Sequence, residues 1–99
     1  MKKLIKIVFL DTSTIGNVDN LAMIQSLGEY TGYEMTTSAQ RIERIKGNHV
    51  VITNKVIIDR NVMDKCPELE LVCIVATGMN NVDLAYAVKK GIIVKNVAG

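Results

Sequence analysis

The sequence predicts an open α/β domain, a parallel sheet of about five strands with helices between them. Three observations carry this. Leu4 to Leu10 (LIKIVFL) and Leu71 to Ala76 (LVCIVA) are nearly continuous apolar runs rich in branched residues, the pattern of strands buried on both faces. Helical spacings bounded by capping residues and glycines lie between such runs, so strand and helix signals alternate along all 99 residues. The apolar fraction is 48%, with one Phe and no Trp, so the chain supports a single core of Ile, Val, Leu, Met and Ala rather than disorder.

The first strand, Leu4 to Leu10, runs into the polar loop Asp11-Thr12-Ser13-Thr14, with Gly16 and Asn17 as turn residues. Asp19 can cap a helix that carries Leu21, Ile24 and Leu27 on one face and ends near Gly28. Gly32 to Met35 reads as a short second strand. Ser38 can cap the next helix, with Ala39, Ile42 and Ile45 on its buried face and Gly47 closing it. Val50, Val51 and Ile52 form the third strand, and Asp59 to Lys65 a short helix stopped by Pro67. After the fourth strand, a helix over Val82 to Lys90 turns Leu84, Ala85 and Val88 inward and ends at Gly91. Ile92 to Val94 is the last strand.

Right-handed crossovers between parallel strands make the flavodoxin-like order 2-1-3-4-5 the simplest arrangement, with the first and fourth strands interior. The chain stops soon after the last strand, without a helix to cover one sheet face. The domain is therefore expected to be incomplete at its C-terminus, with apolar surface open to another chain.

Charge and cysteine usage exclude several classes. Twelve basic and ten acidic residues leave +2, and the basic residues cluster only at Lys2-Lys3 and Lys89-Lys90. A nucleic-acid partner needs a concentrated basic stripe, so none is expected. No apolar run is long enough to span a bilayer, and Met1-Lys2-Lys3 with its apolar stretch reads as a strand rather than a signal peptide. Cys66 and Cys73 match no metal or redox spacing; Cys73 reads as a buried core thiol, and reduced thiols suit the cytoplasm.

Ligands of an open α/β sheet sit beyond the carboxyl ends of the strands. There the sequence places Asp11, Thr12 and Ser13; Thr53, Asn54 and Lys55; Thr77, Gly78, Met79, Asn80 and Asn81; and Lys95 and Asn96. Gly78 permits a tight bend and close backbone approach, and amides near Thr77 and Gly78 can hold a carboxylate without a charged side chain. The plain alternative is a strand-to-helix turn in which Asn80 or Asn81 caps the helix. Asn54 offers a donor and an acceptor and Lys55 a cation, although a polar loop after a buried strand would look the same. Asp11 can serve as a ligand group or end a strand loop; His49 falls at the opposite end of the sheet, with no acidic partner evident. Glycine-rich dinucleotide loops, Walker loops and nucleophile elbows are all missing from the sequence.

Three stretches together carry a resemblance. Val51 to Lys55 followed by Ile58-Asp59, Leu71 to Asp83 (LVCIVATGMNNVD), and Gly91 to Gly99 (GIIVKNVAG) resemble, in order and spacing, the N-terminal part of the D-isomer-specific 2-hydroxyacid dehydrogenases. The glycerate dehydrogenase (hydroxypyruvate reductase) branch looks closest. The resemblance implies a two-domain NAD- or NADP-dependent enzyme, with residues 1–99 forming the front of its substrate-binding domain and the nucleotide-binding domain absent. It implies that amides at Thr77 and Gly78 meet the substrate carboxylate, with Asn54 nearby. The family's catalytic Arg, Glu and His have no counterparts here, and His49 does not match the catalytic His. The expectation is thus a substrate-binding piece, catalytically inactive and binding no cofactor alone, that engages a small 2-hydroxy or 2-oxo acid and self-associates through its open face. The competing readings are a receiver-like signalling module, which lacks an aspartate at the end of the third strand, and a non-catalytic ligand-binding domain of the same fold.

Overall fold

The computed structural model describes residues 4–14, 25–75 and 78–96. Five strands run β1 (Lys6–Phe9), β2 (Glu29–Gly32), β3 (Val50–Thr53), β4 (Leu71–Ile74) and β5 (Ile93–Asn96). They pair entirely in parallel in the order β2-β1-β3-β4-β5, as the alternation of strand and helix signals requires. Three described helices connect them: α1 (Arg41–Ile45), α2 (Arg60–Lys65) and α3 (Leu84–Lys90). None is long and apolar enough to cross a membrane. Of the predicted helix with Asp19, Leu21, Ile24 and Leu27, only the end is described: Gln25 and Ser26 are helical and the chain turns at exposed Leu27, before Gly28, while Asp19, Leu21 and Ile24 lie outside the described residues.

The strands alternate between two apolar faces. Val8, Leu10, Val51, Val72 and Ile74 point to one face, where Ile45, Val62, Met63 and Ala87 of the helices complete the main core. Ile7, Phe9 and Ile52 form a smaller cluster on the other. A fully buried side chain of this kind stabilises by roughly 1.5–3 kcal/mol, and among the described residues the first face holds fourteen of them against three. On the second face, Ile5, Ile7, Val50, Ile52, Leu71 and Cys73 help line a 340 Å³ groove whose other walls, Leu27 and Val75, are also apolar. Cys73 is half-buried on this face and is not the core thiol expected; Cys66 is buried, and burial raises the thiol pKa of both.

The second strand lies three residues earlier than predicted. Glu29 to Gly32 match Lys6 to Phe9 in register, and beyond Phe9 the first strand turns into the 3-10 segment Thr12–Thr14. Tyr33 to Met35 therefore have no extended partner, although Tyr33 and Glu34 carbonyls still accept the amides of Thr12 and Ser13. Gly32 is thus the last residue of the strand rather than its first. Gly28 is required by close approach: a Cβ there would lie 2.1 Å from the Ile5 carbonyl oxygen.

The cap of the next helical segment is Thr37, not Ser38; its amide donates to Gln40 Oε1 at 3.0 Å in a capping box. The 3-10 turn Ser38–Gln40 precedes α1 and leaves Ala39 exposed, so Ile42 and Ile45 alone supply the inward face. Asp59 caps α2, accepting the Val62 amide at 3.1 Å.

Helix α3 turns a different face inward than its apolar pattern suggests. Leu84, Ala85 and Val88 are exposed, Val88 by 81%, and Ala87 is the buried residue. A parallel bridge between Ile58 and Val82, with the Asp83 amide donating to the Ile58 carbonyl, sets the helix phase before its first turn. Val82 and Ile92 fill the core on either side, leaving room between for an alanine. Gly91 closes the helix in the left-handed conformation at φ 76°. The last strand then begins at Ile93, so Lys95 and Asn96 are strand residues rather than loop residues.

At the amino ends of the strands, His49 Nδ1 accepts the Lys6 amide at 3.0 Å. The His49 amide donates to the Lys6 carbonyl, and its carbonyl accepts the amides of Glu70 and Leu71. The histidine is a staple across β1, β3 and β4.

On the outer side of α2 and α3, the Tyr86 hydroxyl donates to Asp64, and Lys90 lies 3.6 Å from the same carboxylate. The Tyr86 hydroxyl, then Lys90 and Arg60, hold the Asp64 carboxyl below its ordinary 3.8. Asp83 is lowered by the Tyr86 amide and by Arg60. A carboxyl depressed on folding stabilises above its unfolded pKa, and that contribution is lost as pH falls through the folded value. Thermal stability is therefore expected to decline below about pH 4. Tyr86→Phe should move the Asp64 titration back toward the ordinary value, followed by carboxyl-carbon NMR; an unchanged titration would refute the assignment.

Candidate functional site

The carboxyl ends of β1, β3 and β4 are joined by one hydrogen-bonded network. Asp11 follows β1 and is 3% exposed. Its carboxylate accepts the Thr53 hydroxyl at 2.9 Å, the Asn54 amide at 2.9 Å and the Lys55 amide at 2.8 Å. An unpaired carboxylate at this depth would cost several kcal/mol, and three donors offset that desolvation. Asp11 thus has a structural role and shapes the loop after β3. Thr53, fully buried, also accepts the Val56 amide at 3.1 Å.

The network continues into the loop after β4. Asn81 Nδ2 donates to the Val56 carbonyl at 2.8 Å, and the Asn81 carbonyl accepts the Ile58 amide at 2.7 Å. Asn81 therefore ties two loops together and does not cap α3. The cap is Asp83, which accepts the Tyr86 amide at 3.1 Å. The Tyr86 amide is committed to this cap, and the Val82 and Asp83 amides just before the helix donate to the Met79 and Ile58 carbonyls.

The predicted substrate residues fall as follows. Asn54 is half-buried and donates Nδ2 to Thr14 Oγ1 at 3.2 Å and to the Thr14 carbonyl at 3.4 Å. Gly78 is exposed, and a Cβ built on it meets nothing within 4 Å. Packing by the protein therefore does not demand glycine there. Thr77 lies outside the described residues. Met79 packs partly against the main core and Asn80 is exposed. Ser13 donates its hydroxyl to the Glu34 carbonyl at 2.6 Å. The structure thus brings the Asn54 and Gly78 loops alongside one another through Asn81, while Lys95 sits out on edge strand β5.

The sequence reading missed the Asn81 clamp and the Thr14 contact to Asn54. An aspartate after one buried strand and a Thr-Asn pair after another was the signal for the Asp11 network, but pairing them requires that the two strands be neighbours.

A dinucleotide needs free amides after a strand, usually on a glycine-rich turn. After β1 the amides of Thr12, Ser13 and Thr14 donate to Tyr33, Glu34 and Asp11 carbonyls, and Asp11 to Thr14 includes no glycine. These residues do not fit a nucleotide cradle. Among the described residues no group of His, Cys, Asp and Glu is arranged for a metal.

Asp11→Asn places an amide N–H against protein donors and removes at least one bond to a charged acceptor. The expected loss is about 2–3 kcal/mol of stability, read by urea denaturation, together with faster amide exchange at Asn54 and Lys55. Unchanged exchange at those two amides would refute the anchoring role.

Comparison with known proteins agrees with this architecture. Residues 7–99 match the family model described as D-isomer specific 2-hydroxyacid dehydrogenase, catalytic domain. A Haemophilus influenzae protein provisionally named a 2-hydroxyacid dehydrogenase is 46% identical over 94 residues, covering 95% of this chain and 30% of the relative. A hydroxypyruvate reductase of Blautia hydrogenotrophica is 38% identical over 96 residues, covering 93% and 30% respectively. Among solved structures, a Pyrococcus horikoshii protein superposes with a TM-score of 0.84 at 20% identity, covering 99% of this chain and 28% of that one. That likeness shows the fold. The chain spans about 30% of the length of the relatives it matches. A family match over nearly the whole chain, on the parallel sheet just described, means that the chain belongs to the D-isomer-specific 2-hydroxyacid dehydrogenases, within their catalytic domain.

Proposed function

We propose that this chain is the N-terminal, carboxylate-binding part of the substrate domain of an NAD(P)-dependent cytoplasmic dehydrogenase, with the nucleotide-binding domain outside its 99 residues. Its substrate is a small 2-hydroxy or 2-oxo acid of the glycerate/hydroxypyruvate kind. Backbone amides at Thr77 and Gly78 orient the carboxylate, and Asn54 assists from the neighbouring loop. The observation that carries this reading is the Asn81 bond to Val56, which holds the Gly78 loop beside the Asn54 loop while Gly78 stays open. Relatives named hydroxypyruvate reductase and glycerate dehydrogenase, the latter 33% identical, support the substrate class. A receiver-like role finds no support in the geometry: residue 53 is a buried threonine bonded to Asp11, not an exposed acceptor carboxylate.

Amide NMR of the 99-residue chain titrated with hydroxypyruvate tests the site. Saturable shifts at Gly78 and Asn54, absent with hydroxyacetone, are expected. Gly78→Val fills the open space and should weaken binding about tenfold or more, since a misplaced or lost charge-assisted bond costs about 1.5–3 kcal/mol. Hydroxyacetone shifting the same amides would overturn carboxylate recognition. The chain alone should show no NAD(P)H oxidation with hydroxypyruvate.

The apolar groove between Ile5 and Val75 is the surface through which the chain self-associates. Light scattering should give a mass that rises with concentration, and Ile5→Glu, at a groove residue that is exposed, should abolish the rise; a concentration-independent monomer would end this reading.

A further inference from the structure

In the order β2-β1-β3-β4-β5, β1 and β3 are adjacent although not consecutive in sequence, and in sheets of this order ligand crevices open beyond the carboxyl ends of such a pair. A 280 Å³ cleft occupies this place, walled by the loops after β1, β2 and β3 and by the Ser38–Gln40 turn with α1. Neither Asn54 nor Gly78 lines it.

Most polar groups in the cleft already have partners. The Thr14 hydroxyl donates to the Asp11 carbonyl, and the Thr36 hydroxyl donates to the Leu10 carbonyl and accepts from Arg44. Arg41 bonds the Ser38 and Ile57 carbonyls and pairs with Asp59 at 3.4 Å. The Asp11 carboxylate faces its three donors from the β3 loop. Among the described residues, Lys55 pairs with no carboxylate and the Ser38 hydroxyl donates to nothing. Both are donors, and one carries a charge. Beside them Met35 is 73% exposed and Ile57 58% exposed, an apolar rim that the described chain leaves uncovered.

We propose that this cleft binds the carboxylate end of a short aliphatic chain. Lys55 and Ser38 meet the carboxylate, and Met35, Val56 and Ile57 cover the methylenes. A bare phosphate fits less well, because it leaves the apolar rim of Met35 and Ile57 unused. The proposal does not rest on the reading of the Gly78 loop. The carboxylate has two possible sources: a separate monocarboxylate, or the far end of a dicarboxylic substrate whose 2-oxo acid end sits at Gly78.

Amide NMR of the 99-residue chain distinguishes them, with valerate, 2-oxoadipate and pentanol as probes. Valerate should produce saturable millimolar shifts at Ser38, Lys55 and Val56, and pentanol none. Lys55→Met should weaken valerate about tenfold; the Lys55 side chain is exposed, so the fold persists, and Lys55→Arg should restore binding. If 2-oxoadipate moves Gly78 and Lys55 together at lower concentration than valerate, the cleft takes the far end of a substrate. If Gly78 stays still, the ligand is a separate carboxylate. Absence of saturable shifts with both acids, or undiminished valerate binding by Lys55→Met, overturns the proposal.

Discussion

The carboxylate of Asp11 gathers the Thr53 hydroxyl and the amides of Asn54 and Lys55, and the loop after β3 takes its shape from this one group. Through Thr53 the constraint reaches Val56, and through Val56 it reaches Asn81 in the loop after β4. Three strand ends are thereby locked into a common rim. Buried carboxylates are costly, and one satisfied entirely by protein donors has little capacity left for a ligand. Its contribution is geometric: it lets neighbouring loops present Asn54, Lys55 and Gly78 from fixed positions.

The opposite end of the sheet is held differently. His49 exchanges hydrogen bonds with Lys6 and accepts from Glu70 and Leu71, so a single side chain and its backbone close the amino ends of β1, β3 and β4. With both ends fixed, the parallel register leaves the helices little freedom. The Ile58 bridge to Val82 starts α3 in one rotational phase, and that phase decides that Ala87 enters the core while Leu84 and Val88 face outward. Tertiary pairing overrides the amphipathic pattern here because the helix, Leu84–Lys90, is short and its burial is shared with Val82 and Ile92.

The two faces of the sheet differ among the described residues. A parallel sheet needs both faces covered. The described helices pack against one, and the other presents a groove lined by Ile5, Leu27, Val50, Ile52 and Cys73, among others. The carboxyl rim carries two distinct chemistries, an exposed glycine loop after β4 and a cleft beside Lys55 between β1 and β3. A solved structure at 20% identity shares this fold, which therefore tolerates most side-chain changes.

Strand order, parallel pairing and the interior position of the two most apolar runs were legible in the sequence, because alternation and hydrophobicity are local signals that topology rules convert into a sheet. Asp59, Gly47 and Gly91 announced their helix ends for the same reason: caps act within one turn. Other features depend on residues far apart in the chain. Glu29 rather than Gly32 begins β2 because Ile5 and Lys6 set its register. Asn81 bonds Val56 across 25 positions and Asp11 bonds Asn54 across 43, so neither role is written in its neighbourhood. The sequence alone determined which elements form and in what order they pair. Only the tertiary structure decided register, helix phase and the partners of each polar side chain, because those depend on distances between segments that local composition does not encode.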